Sequence, residues 1–327
     1  TAIFLLFTVF LIKGAAFPLY LWLPGAYAHA SIPVAALFAI MTKVGLYSVL
    51  RVDSVMLSGN SIGGLVETTT LIAPWLLWLG LITLLLAALG VVAARFVRRQ
   101  IAYLIIASVG TILIALGLVT GNSNEAAISG ALYYWMHTTV LSAGFFLLAG
   151  LILRHRPEVG DGIDSAPPMP RAILVGSLFF AYAIAMAGLP PLTGFFGKIM
   201  ILAAALDSPL MAPIFAVILT SGLIMVIALA RAGSRLFYQS QATPGHPAHA
   251  TPADARIPLP GLGMAVLPLI LAGAMVVGAQ PLSGWLAGTA AQVAASDGYL
   301  DAVMPDGVLD PAHAPGKFGS DHDGGQH

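Results

Sequence analysis

Long apolar runs, separated by short polar or Gly/Pro turns, recur along the chain from its first residue to about Leu286. A transmembrane helix needs about 20 apolar residues to cross a hydrocarbon core of roughly 30 Å. On that criterion eight spans are predicted, at 1–22, 31–51, 70–94, 99–120, 126–153, 171–206, 211–238 and 260–287. The pattern therefore predicts an all-α, polytopic transmembrane helix bundle.

Polar segments divide the chain into four parts. Residues 1–239 are predicted to form a transmembrane core, and 240–256 a polar loop on the cytoplasmic side. Residues 257–290 are predicted to form a terminal transmembrane helix, and 291–327 a mobile, acidic tail rich in His, Gly and Pro. The first residue is threonine and no signal-peptide pattern follows it, so we expect the C-terminal part of a longer protein.

Two of the spans are predicted to be broken helices. The first carries Gly14 and Pro18, and the sixth carries Pro190 and Pro191 at its middle. Proline removes a backbone donor and clashes with the preceding helical turn. Non-helical backbone at membrane depth is tolerated where it is buried in protein or lines a wet cavity, and broken helices in pairs are typical of transport sites.

Charge is scarce, at 9% of residues against 58% hydrophobic, whereas a soluble domain has roughly 25% charged residues. The formal net charge of zero argues against a nucleic-acid partner, and the absence of cysteine excludes disulfides and thiolate chemistry. If each run spans once, Arg51 falls on one side and nine arginines on the other, which the positive-inside rule makes cytoplasmic. The nine are Arg95, Arg98, Arg99, Arg154, Arg156, Arg171, Arg231, Arg235 and Arg256.

Three of the four lysines, Lys13, Lys43 and Lys198, lie within predicted spans. A lysine at the bilayer centre costs about 2.5–3.5 kcal/mol on insertion scales, so such residues are usually functional. All fourteen Asp and Glu lie at span ends, in loops or in the tail, and none can neutralise these amines at depth. The pattern indicates a proton relay. The alternative is that each amine snorkels to the membrane interface.

His137 is the single histidine deep in a predicted span. An imidazole can accept and donate a proton near neutral pH, which favours membership of the relay over a neutral core histidine bonded to a neighbouring helix. No metal site is predicted. Phosphate-binding loops, GxSxG, HExxH and a haem-spaced histidine pair are all absent from the sequence, so neither a cofactor nor enzymatic chemistry is predicted from the residues.

Four motifs resemble the antiporter-like subunits shared by multisubunit Mrp cation/proton antiporters and respiratory complex I. They are "FPLYLWLPGAYAHASIPVAALFAIMTKVGLYSVLR", "RRQIAYLIIASVG", "GALYYWMH" and "AGLPPLTGFFGKIMIL". Within that family, "WLPGAY", "PVAALFA" and "TKVGLY" are most similar to the D-type subunit. The resemblance covers roughly residues 1–240.

This resemblance implies that the chain corresponds to helices seven to fourteen of a fourteen-helix subunit with two inverted repeats. Lys13 matches the family's lysine on helix seven, Lys43 the lysine on helix eight, His137 the histidine on helix eleven and Lys198 the lysine on helix twelve. The glutamate that the family pairs with its helix-seven lysine has no counterpart in this sequence. Many relatives also carry a lysine where this chain has Ser142. We therefore expect Thr138, Thr139, Ser142 and waters to bridge Lys43 and Lys198 through His137.

The expected function is proton translocation in exchange for Na+ or another monovalent cation. The resemblance implies partner subunits, contact with the lipid bilayer and a multi-pass location in a bacterial inner (plasma) membrane. Two alternatives remain open from the sequence. One is a proton-pumping subunit of complex I or a membrane-bound hydrogenase, driven by electron transfer; the other is a scaffold subunit with a vestigial relay.

Overall fold

The computed structural model describes residues 2–52, 54, 66–119, 124–156, 160–163, 169, 171–238 and 259–294. Helices make up this part of the chain, and no β-strand occurs in it. They are α1 (Ala2–Gly14), α2 (Trp22–His29), α3 (Ile32–Val52), α4 (Val66–Ala93), α5 (Val97–Gly117), α6 (Asn124–His155), α7 (Ala172–Ala187), α8 (Thr193–Ala204), α9 (Met211–Gly233), α10 (Leu259–Val277) and α11 (Ala279–Ala294). The predicted loop at 240–256 and nearly all of the predicted tail lie outside the described residues.

The first predicted span is broken, as its sequence indicates. Helix α1 ends at Gly14, Ala15 takes a left-handed φ of 56°, and a 3-10 turn at Leu19–Leu21 leads into α2. Groups freed by the break find partners: the Phe17 amide donates to Thr83 Oγ1 at 3.0 Å, and the Trp22 indole donates to the Ile12 carbonyl at 3.1 Å. The helical segment continues to His29, beyond the predicted end at 22, because Pro18 interrupts the helix without ending the apolar run.

The sixth predicted span is broken in the same way. Helix α7 ends at Ala187, Gly188 follows with a φ of 78°, and α8 begins at Thr193. Within the described residues, seven helical segments are long and apolar enough to cross a membrane. Together with the broken pair of α7 and α8, they match the eight predicted spans. The predicted all-α bundle with two broken helices is confirmed.

The terminal helix differs from its prediction. It is divided at Gly278 into α10 and α11, and α11 runs to Ala294, past the predicted ends at 287 and 290. Hydrogen bonds from Gly278 to Ala274 and from Leu282 to Gly278 carry the helical pattern across the division. Leu286 and Ala290 are buried where α11 packs on α6. Two buried apolar residues on one face of a helix are too weak a pattern for the sequence to predict a membrane span beyond residue 290.

Helices α5 and α6 form the centre of the bundle. Helix α5 is buried over almost its whole length, and it packs closely on α4 because Gly80 and Gly110 face each other without side chains. Small residues at a helix interface let two backbones approach closely within a membrane. Helix α6 contacts α3, α5 and α8. Side chains from α3, α5, α6 and α8 therefore meet at the centre of the bundle.

The arginine-rich loops meet at one end of the bundle. Arg98, at the start of α5, donates to the Asp161 carboxylate through Nε at 3.1 Å and Nη2 at 3.3 Å. The buried guanidinium of Arg156, just after α6, donates to the Leu236 carbonyl beyond α9 and lies over the Phe237 ring. Burial lowers the pKa of Arg156. The side predicted to be cytoplasmic is thus held together by contacts between three helix ends.

Candidate functional site

Lys43 lies in the middle of α3, and only 1% of its surface is exposed. Its amine donates to Ser108 Oγ on α5 at 2.7 Å, and the Ser108 hydroxyl donates in turn to the Ile105 carbonyl at 2.6 Å. A hydroxyl has one proton and two lone pairs, so Ser108 fills both roles at once. The amine therefore has a neutral partner at mid-helix.

His137 lies on α6 and is fully buried. Its Nδ1 is 2.6 Å from Thr193 Oγ1, at the first residue of α8. The Tyr134 ring packs beside the imidazole with centroids 5.5 Å apart. Both Lys43 and Lys198 interact electrostatically with His137. The histidine thus lies within electrostatic range of both buried lysines.

Lys198 lies on the second turn of α8 with 7% of its surface exposed. Its amine reaches back across the helix break and donates to the Ala187 carbonyl, the last of α7, at 2.7 Å. The carbonyl end of a helix carries a partial negative charge that favours a cation. The break between α7 and α8 therefore supplies the amine's partner.

Lys13 is placed differently. It is the penultimate residue of α1, beside the first break, and its side chain is exposed on the surface of this chain. Its neighbour Gly14 is buried, and a Cβ on Gly45 of α3 would lie 2.7 Å from the Gly14 amide nitrogen. Gly14 thus allows close contact of α1 with α3, while Lys13 is exposed and the other three ionisable residues are buried.

The direct hydrogen bonds of Lys43 and His137 are made by hydroxyls other than Thr138, Thr139 and Ser142, whose bridging role through waters stays a prediction. Thr138 and Thr139 both donate to the Trp135 carbonyl of their own helix, at 3.1 and 2.9 Å. Ser142 is buried, and its Oγ has no hydrogen-bond partner among the described residues. These three side chains belong to α6, but none of them contacts Lys43, His137 or Lys198 by a hydrogen bond within the described part.

Four residues that the sequence did not single out make the contacts instead. Ser108 binds Lys43, Thr193 binds His137, and the Tyr134 hydroxyl lies beside Thr111 on α5. Ser108 and Thr111 are three residues apart and share one helix face. Isolated hydroxyls three apart in the apolar run "LIIASVGTILIAL" were the available signal.

Among the described residues, no carboxylate forms an ion pair with Lys43 or Lys198. Arg98–Asp161 is the salt bridge found in the described residues, so neither Lys43 nor Lys198 pairs with a carboxylate there. No group of three or more His, Asp or Glu able to hold a metal occurs in the same part of the chain. Each of the two buried amines and the imidazole instead has a neutral hydroxyl or carbonyl as its hydrogen-bond partner.

The fold and the buried Lys43, His137 and Lys198 define a polytopic membrane protein with ionisable side chains in its interior. The family model described as NADH:quinone oxidoreductase/Mrp antiporter, TM, matches residues 1–224. The chain belongs to this family, and the predicted resemblance to Mrp D-type subunits is confirmed.

Two curated relatives are antiporter components. The D subunit of the probable K+/H+ antiporter of Rhizobium meliloti (strain 1021) is 32% identical over 260 residues, covering 71% of this chain and 47% of the relative. The D subunit of the Na+/H+ antiporter of Bacillus subtilis (strain 168) is 30% identical over 306 residues, covering 92% and 57%. The chain spans about half the length of these relatives.

Solved structures share the fold. The Mrp complex from Dietzia sp. DQ12-45-1b matches with a TM-score of 0.74 and 24% identity, over 91% of this chain and 60% of that chain. Respiratory complex I from Thermus thermophilus matches with a TM-score of 0.67 and 24% identity, over 88% and 58%. The same helix arrangement therefore occurs in both types of complex.

Proposed function

We propose that this chain carries protons as part of a D-type subunit of a multisubunit cation/proton antiporter. Protons move along Lys13, Lys43, His137 and Lys198 in exchange for Na+ or another monovalent cation. The observation that carries the proposal is the burial of Lys43, His137 and Lys198 with hydroxyl or carbonyl partners and no carboxylate partner among the described residues.

A lysine held by a neutral oxygen suits such a relay. A carboxylate within contact distance strongly favours the protonated amine, whereas a serine hydroxyl or a carbonyl offers a hydrogen bond without a full opposite charge. Ser108 Oγ can accept from the amine in either state, because a neutral amine keeps two N–H groups while the Ser108 proton is donated to the Ile105 carbonyl. Lys43 can therefore be present with or without its proton while keeping the same neighbour.

Lys13 fits the proposal if a neighbouring subunit covers its exposed side chain. Its exposed amine lies within an apolar helix, where a bare charge facing lipid is costly. A neighbouring protein surface with an acceptor relieves that cost, which agrees with membership of a multisubunit complex in the plasma membrane.

The names of the two relatives leave the cation open between K+ and Na+. The family description also includes NADH:quinone oxidoreductase, so electron transfer is the rival energy source. The relatives favour the antiporter, since both are D subunits of antiporters and both are at least 30% identical to this chain.

Exchange in everted membrane vesicles tests the proposal. The full-length subunit is expressed with its complex partners in cells lacking their own antiporters, and a pH gradient is set by ammonium dilution without an electron donor. We expect Na+ or K+ to dissipate the gradient. If neither cation dissipates the pH gradient of a fully assembled complex, the proposal is contradicted. If proton movement requires oxidation of an electron donor, the electron-transfer-driven pump is established instead.

A further inference from the structure

The Nε2 atom of His137 has no hydrogen-bond partner among the described residues, although the ring is fully buried. Leaving a buried polar atom without a partner costs about 1–3 kcal/mol. Its other nitrogen, Nδ1, has one polar contact, the Thr193 hydroxyl at 2.6 Å. The imidazole is thus anchored at one nitrogen and open at the other.

The open nitrogen faces the break between α7 and α8. A Cβ on Gly194 would lie 2.8 Å from His137 Nε2 and 3.0 Å from Gly188 Cα. A Cβ on Gly188 would lie 2.9 Å from Lys198 Nζ. Gly194 and Gly188 are therefore neighbours, one beside Nε2 and the other beside the lysine amine. A side chain at Gly194 would collide with Nε2, and a side chain at Gly188 would collide with the amine.

Thr193 provides the neutral partner that such an imidazole needs. The hydrogen bond at one ring nitrogen sets which nitrogen carries the proton. A hydroxyl accepts from Nδ1–H, which leaves Nε2 ready to take a proton, and it can equally donate to a bare Nδ1 when Nε2–H is present. The same side chain therefore serves both neutral tautomers and the doubly protonated ring.

We propose that Thr193 is a positioning residue that holds His137 by Nδ1 and directs Nε2 across Gly194 and Gly188 to exchange a proton with Lys198. The Lys198 ammonium gives one proton and becomes a neutral amine, while Nε2 gains that proton and Nδ1–H donates to Thr193 Oγ1. The reverse step restores both groups. This inference rests on the proposed function and adds to it the hydroxyl of the fully buried Thr193.

A pair of substitutions separates the hydroxyl from the packing at this position. Thr193→Val keeps the branched shape and removes the hydroxyl, and Thr193→Ser keeps the hydroxyl and removes the methyl group. In the full-length subunit within its assembled complex, we expect Thr193→Val to slow exchange about tenfold, roughly the effect of one buried hydrogen bond. Thr193→Ser should keep at least about half of the exchange.

The opposite order, with the valine variant active and the serine variant slow, means that Thr193 acts by packing and overturns the inference. Equal rates in both variants overturn it as well. His137→Ala, measured in the same vesicles, distinguishes failure of the proposed relay from failure of the Thr193 role alone. If His137→Ala also exchanges normally, the proposed relay fails; if His137→Ala is inactive and Thr193→Val is normal, only the role of Thr193 fails.

Discussion

The Lys43 amine and the Ser108 hydroxyl lie 2.7 Å apart at the buried contact between α3 and α5. Sixty-five residues separate them in sequence, so the crossing of two helices brings them together. The contact gives Lys43, the most deeply buried lysine among the described residues, a partner that carries no charge.

Removing the Ser108 hydroxyl tests the importance of this contact. Ser108→Ala leaves the Lys43 amine without its partner, and we expect exchange to fall several-fold while the complex still assembles, since alanine is favourable within a helix. Ser48→Ala is the matched control, because the Ser48 hydroxyl donates to Val44 of its own helix. Equal rates in the two variants would remove Ser108 from the site.

Tyr134 is expected to connect the Lys43 side of the site with His137. Its hydroxyl lies beside Thr111 and its ring beside the imidazole. Tyr134→Phe keeps the ring and removes the hydroxyl, and we expect exchange to slow about threefold to tenfold. Its neighbour Tyr133 donates to the Met275 carbonyl instead, so Tyr133→Phe should retain exchange. A slow Tyr133→Phe beside a normal Tyr134→Phe would contradict this assignment.

Gly188 is expected to be intolerant of a side chain for two reasons. Its φ of 78° is unfavourable for other residues by about 1–2 kcal/mol, and a Cβ would come within 2.9 Å of the Lys198 amine. Gly188→Ala should lower the thermal midpoint of the purified complex and also slow exchange. Gly273→Ala, which meets nothing within 4 Å on α10, should change neither. Wild-type behaviour of Gly188→Ala would show that the break can deform without cost.

Some features of the site follow from sequence because they depend on local chemistry. Pro18 and Pro190–Pro191 cannot continue a helix, so both breaks were predictable. Lys43 lies far from both ends of an apolar run, so its burial was predictable too.

Which hydroxyls meet the ionisable groups was not predictable in the same way. Thr138 and Thr139 donate to a carbonyl of their own helix, as threonine often does. The orientations of α5 and α8 place Ser108 beside Lys43 and Thr193 beside His137 instead. The extension of α11 to Ala294 likewise depends on how α11 packs against α6, which no local pattern specifies.

The most direct test of the relay compares arginine and alanine at Lys43. Arginine keeps its proton at any physiological pH, so Lys43→Arg preserves the charge and much of the packing while preventing proton release. Both variants are measured in the assembled complex, in everted vesicles, with assembly verified by purification of all subunits. The account predicts that both assemble and both lose exchange, with the arginine variant no faster than the alanine variant. Normal exchange by a fully assembled Lys43→Arg complex would contradict it.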